Sequence, residues 1–152
     1  MKLFMSILIM LACLPVAMAC KVGPVAYDLA AFLKEKKATT VVVLARVESS
    51  KEVALTEFGR RQDLILSVSR RWLGPQSRTL SAEGYVVIQE RSDCDASFSF
   101  SAKVGEQWLI VGETDSHGVV RPSKLLSRRL QNGKLSNEDA VLLRDLERKI
   151  NE

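Results

Sequence analysis

Residues 17–20, Ala-Met-Ala-Cys, close an apolar leader and so decide how much of this chain is left to fold. Met1-Lys2 carries one positive charge. Leu3-Phe4-Met5-Ser6-Ile7-Leu8-Ile9-Met10-Leu11-Ala12 and Leu14-Pro15-Val16 supply the apolar run, and small Ala17 and Ala19 stand before Cys20. This is the three-part form of an export signal. The run is too short, and lacks a charged far flank, to serve as a membrane span. No later segment approaches the roughly 18 uninterrupted apolar residues a spanning helix needs. Residues 1–19 are therefore read as a signal peptide. Cleavage leaves residues 20–152, or 133 residues (152 minus 19), enough for one domain around one core.

Two processing routes fit the junction. Ala17 and Ala19 suit ordinary signal peptidase, which leaves Cys20 with a free amine. A cysteine directly after the cut also suits acylation, which would make an envelope lipoprotein tethered at Cys20. Bacterial lipoprotein signals usually carry Leu three residues before the cysteine, where this chain has Ala17, so plain cleavage is favoured. The expected location is the periplasm or the exterior, with membrane attachment only if Cys20 is acylated.

Loss of the leader removes Lys2 and no acid, so the net charge falls from +4 to +3 (4 minus 1). It also removes Cys13, leaving Cys20 and Cys94. Two cysteines in an oxidising compartment imply one disulfide, Cys20–Cys94. Closing so long a loop would stabilise by about 4–5 kcal/mol on the chain-entropy account. Acylation would consume the Cys20 thiol and leave Cys94 unpaired.

The rest of the chain reads as helix, short strands, helix. Gly23-Pro24 opens a helical pattern over about residues 24–37, with Asp28 near the positive end of the dipole. Leu29, Phe32 and Leu33 form its apolar face. Thr39 to Glu48 is rich in β-branched residues and apolar on both faces over Val41–Ala45, which predicts a central strand. Ser49–Arg61 is polar, contains Gly59 and reads as an exposed connection.

Asp63–Trp72 alternates as a second strand, ended by the turn Trp72-Leu73-Gly74-Pro75. Thr79–Glu90 holds a third, in which Gly84 marks a bulge or bend. Ser97–Ser101 alternates but is short. Gln107–Val111 is a compact fourth strand, and the turn Asp115–Gly118 leads to a return strand at Val119-Val120. Ser136 and Asp139 form an N-terminal capping pattern for a second helix over about residues 136–150, with Leu142, Leu143, Leu146 and Ile150 on its apolar stripe. Such short strands with turn signals fit a small barrel or a sandwich.

Three groups of residues together resemble the netrin-like domain, an OB-type barrel best known from tissue inhibitors of metalloproteinases. The first is a mature N-terminal cysteine followed closely by Pro24 and a helix. The second is the valine-rich strand followed by one ending in Trp72-Leu73-Gly74. The third is Cys94, Phe98 and then Gly105-Glu106-Gln107-Trp108-Leu109-Ile110-Val111-Gly112. The resemblance spans most of residues 20–126. It implies a mainly β fold, a five-stranded OB-like barrel flanked by N-terminal and C-terminal helices, as one domain over residues 20–152, and again the pairing Cys20–Cys94.

It also implies a protein partner, in particular a zinc metalloprotease. In the family the amine and carbonyl oxygen of the first cysteine chelate the protease's catalytic zinc and displace its water. By that resemblance Cys20 is the chelator, Lys21 enters the substrate pocket and Val22 follows it. Lys21 departs from an apolar pocket residue, because burying an ammonium is costly unless it is paired. The family's second disulfide has no counterpart here, since Val22 and Arg121–Lys124 stand where its cysteines would be.

Other chemistry has little purchase. The single histidine, His117, sits in a turn and makes neither a metal site nor a triad. P-loop, nucleophile-elbow, HExxH and paired-cysteine metal patterns are missing, so no enzyme activity, cofactor or metal is expected beyond Cys20 toward a partner's zinc. Trp108 and Leu109 read as core. Trp72, at a strand end, is the candidate for an exposed partner contact. Arg60-Arg61, Arg70-Arg71 and Arg128-Arg129 invite a nucleic-acid reading, but export argues against it. Charge pairs at strand ends are ordinarily solvated, so no nucleic-acid partner is expected.

Overall fold

The computed structural model describes residues 28–55, 59–87 and 99–151. The element order is α1 (Leu29–Lys34), β1 (Thr40–Leu55), β2 (Gly59–Leu73), β3 (Thr79–Val87), β4 (Gln107–Thr114), β5 (Val120–Pro122), β6 (Arg128–Arg129) and α2 (Asn137–Asn151). Five strands close into a ring in the order β1–β2–β3–β5–β4, with β4 pairing back onto β1. Every pairing is antiparallel except the contact of β3 with β5 at Ala82 and Val120. This is the expected OB-like barrel with a helix at each end. The two-residue β6 is appended to β4.

The residues of β1 explain why it is central. Val41, Val43, Ala45 and Val47 pack with Leu64, Leu66, Leu80, Ala82, Ile110 and Val120 into one cluster. The intervening Val42 and Leu44 pack with Trp72, Leu109, Val111, Leu126, Leu143 and Leu146 into another. Side chains alternate across a strand, so β1 and β4 have one face in the barrel and the other beneath the helices. Both cores share the same two strands.

The helices close the outer core. Asp28 caps α1, its carboxylate accepting the N–H groups of Ala30 and Ala31 at 2.8 and 3.2 Å. The helix buries Leu29, with Phe32 and Leu33 partly covered. It stops at Lys34 rather than continuing to 37. Thr40 sets the turn there, taking the Lys37 N–H on its hydroxyl at 2.8 Å and donating its own N–H to the Lys37 carbonyl at 3.1 Å. The expected start at Pro24 lies outside the described residues. In α2 the Ser136 hydroxyl accepts the Asp139 N–H at 3.1 Å and donates to the Asp139 carboxylate at 2.8 Å, as the capping pattern predicts.

Other expectations are corrected as well. Residues 49–55 and 59–61 are not a connection, because β1 and β2 stay paired as far as Leu55 and Arg60. This arm gives no described residue to either core, so neither face must be apolar and the alternation that marks a strand is lost. Gly84 is no bulge against β2, since its register with Gln62 is unbroken. It allows a close approach instead: a β-carbon there would lie 2.8 Å from the Phe100 carbonyl oxygen. The register shifts fall in β1 against β2, between Val42 and Val43, Leu44 and Ala45, Val47 and Ser49, and Glu52 and Ala54. The return strand begins one residue later than expected, at Val120, and Ser99–Ser101 is not in a strand.

Candidate functional site

Cys20, Lys21, Val22 and Cys94 lie outside the described residues, as does Phe98. Trp72 is described, and the expectation of an exposed contact is overturned: it is 7% exposed and belongs to the outer core. The guanidinium of Arg70 covers its ring at 5.0 Å while pairing with Glu147 of α2 at 2.8 Å. The turn after β2 suggested a free indole, but α2 lies across it. His117 is exposed in the turn after β4, its main-chain N–H donating to Asp115 at 2.8 Å. The arginine doublets are mostly engaged by carboxylates, Arg60 by Glu52, Arg61 by Asp63, Arg70 by Glu147 and Arg129 by Glu106.

The described residues gather their chemistry at one mouth of the barrel. The inner face of the β1–β2–β3 arm forms one wall, with Glu52, Gln62 and Val86. Ser101, Ala102, Lys103, Glu106, Trp108 and Arg129 form the other, around a cleft of about 460 Å³. Glu106 is its hub. One carboxylate oxygen accepts the Lys103 main-chain N–H at 3.0 Å and the Trp108 indole N–H at 3.1 Å. The other accepts the Arg129 guanidinium at 3.0 Å.

Burial alone would push the Glu106 carboxyl upward. The hydrogen bonds from Lys103, Arg129 and Trp108, with the positive charge of Arg129, outweigh that and hold it below the usual carboxylate range. Glu106 is therefore a fixed anion, already supplied with donors and unsuited to work as a general base. Glu106 stands just before β4 and Trp108 is the second residue of it, so the closeness of Glu106 to Trp108 along the chain was plain in the sequence. Arg129 was not, being 23 residues further on in a strand of two residues.

Trp108 is half-buried and meets Phe100 edge-on, with ring centroids 4.9 Å apart and planes at 69°. Gln62 is the buried polar group of this wall, 8% exposed, its side-chain oxygen accepting the Ala102 N–H at 3.3 Å. The expected core role of Trp108 and Leu109 holds in two different places. Trp108 packs against the barrel core, while Leu109 is fully buried in the outer one.

Among the described residues no group of three or more His, Cys, Asp or Glu side chains could hold a metal ion. No described helix is long and apolar enough to cross a membrane. The mouth sets fixed charges, an amide and an aromatic wall around a concave space. No family model matches the chain, and no curated protein matches it. The netrin-like resemblance therefore rests on the sequence motifs.

Proposed function

We propose that the chain is an exported protein-binding module that works through its mature N-terminus, and that this binding takes the form of zinc-metalloprotease inhibition by Cys20. What carries the reading is the rigid support close behind that terminus. Residue 28, which caps α1, stands eight positions after residue 20, so the start of the mature chain is held within at most about 28 Å of a helix packed on a closed barrel. A short tether to a rigid body limits the freedom lost on binding.

The amine and carbonyl oxygen of Cys20 are suitable donors for an open zinc position. Lys21 sets a condition on the partner. Its ammonium needs a carboxylate in the pocket that receives it, so the fitting protease has an acidic rather than an apolar pocket.

The test compares protein that begins at Cys20 with a variant carrying one alanine before it, against zinc endopeptidases with acidic and with apolar pockets. Inhibition by the first protein alone, strongest on acidic pockets, is expected. Equal inhibition by the extended variant, or none by either, overturns chelation. An intact mass raised by a lipid adduct on Cys20 would instead make the chain an acylated envelope lipoprotein.

A further inference from the structure

We infer that the barrel mouth around Glu106 is a binding site for a small neutral polyhydroxylated ligand, a saccharide unit. The lining is balanced in charge. Glu52 and Glu106 supply two carboxylates, Lys103 and Arg129 two cations. Glu106 is moreover paired with Arg129 at 3.0 Å, and Glu52 with Arg60 at 2.7 Å. A strongly charged ligand would have to displace one of these pairs, and would gain no net field in return.

A hydroxyl group both donates and accepts, so it suits a surface where donors and acceptors lie side by side. Glu106 has such a surface. Its oxygen bonded to Arg129 accepts a single donor among the described residues, which leaves acceptor capacity there, and the guanidinium uses one of its five N–H groups on that oxygen. The exposed Lys103 and Ser101 stand on the same rim. Trp108, Val86 and Ala102 supply apolar wall for the C–H faces of a sugar ring. The roughly 460 Å³ of the cleft lies in the usual range for small-ligand sites, which often sit in barrel mouths.

The site is also preorganised. Lys103 and Glu106 are held by their own turn, where the Glu106 N–H donates to the Lys103 carbonyl at 3.1 Å, and the Val47 N–H fixes the Glu106 carbonyl at 2.9 Å. A ligand would find the Glu106 carboxylate and the Lys103 main chain already in place, at little cost in ordering.

The test is nuclear magnetic resonance on the isotopically labelled mature protein, following the Trp108 indole N–H and the Gln62 side-chain amide. The probes are glucose and N-acetylglucosamine, with citrate and spermidine as the anion and cation. A saturable shift of both signals with a sugar, and none with citrate or spermidine, is expected. Lys103→Ala, an exposed change that leaves the Glu106 bonds intact, is expected to weaken the sugar about tenfold. Arg144→Ala, on the exposed side of α2, is expected to leave it unchanged. No shift with either sugar, a shift with citrate or spermidine instead, or sugar binding indifferent to Lys103→Ala would overturn the assignment.

Discussion

The Glu106 carboxylate accepts the indole N–H of Trp108 at 3.1 Å and the guanidinium of Arg129 at 3.0 Å, so one side chain ties β4 to β6 and to the edge of the barrel core. Glu106→Gln keeps the shape but removes the charge and turns one end of the group into a donor facing donors. A loss of about 1–3 kcal/mol is expected in urea unfolding at neutral pH. The pH dependence follows from the sign of the shift. The folded carboxyl lies below its ordinary value, so its contribution is fully present above the unfolded value of about 4.3 and is lost as the pH falls through the lower folded one. The gap between wild type and Glu106→Gln should therefore be constant near neutrality and narrow in acid. A gap that widens in acid would refute this account of the charge.

Asp115 works in the same direction at the turn between β4 and β5. Its carboxylate is held below the usual range by the N–H groups of His117 and Val119, at 2.8 and 3.0 Å, and by the nearby Arg121. Asp115→Ala should speed hydrogen exchange at the Val119 N–H relative to that at Ile110 in mid-strand. Unchanged exchange at Val119 would show that the turn holds without the carboxylate.

Gly112 and Gly118 should respond to alanine for different reasons. A β-carbon at Gly112 would fall 2.2 Å from the Arg121 carbonyl oxygen, which is backbone and cannot swing aside. Gly118 has open space but a φ of +76°, which a β-carbon disfavours by roughly 1 kcal/mol. Gly112→Ala should cost more than Gly118→Ala, about 3 kcal/mol or above, because the β4–β5 pairing must shift. Equal thermal midpoints for the two variants would contradict the close approach.

Arg70 clamps α2 by lying over Trp72 and reaching Glu147. Both contacts are partly exposed, so Arg70→Ala should cost only about 1 kcal/mol. Arg70→Lys should recover part of that, since an ammonium restores charge but not the flat stacking of the guanidinium. Ser136→Ala should cost a similar amount through the lost cap. If Arg70→Ala and Ser136→Ala act on the same helix docking, their effects should fall short of additive in the double variant.

The barrel was legible where burial imposes a pattern. Val41 to Ala45 had to be apolar on both faces because each face meets a different core, and Ser136 with Asp139 announced the start of α2. Legibility failed where burial stops. Residues 49–55 and 59–61 pair as strand on ladder bonds and surface ion pairs, which leave no two-residue rhythm in the side chains. Trp72 misled because a turn follows it in sequence, whereas the group that covers it is a helix more than sixty residues later. At the mouth only the closeness of Glu106 and Trp108 along the chain was visible. Arg129 beside them, and Gln62 on the facing wall, are brought there only by closure of the barrel.

Because β1 and β4 each give one face to the barrel interior and the other to the space beneath α1 and α2, the helices are not ornaments on a finished barrel. Strip them away, and Val42, Leu109 and Val111 become an apolar sheet face in water. A chain in transit, with its barrel paired but its last helix still undocked, would be adhesive rather than merely incomplete. The fifteen residues of α2 thus shield a sheet face from water as much as they complete a shape.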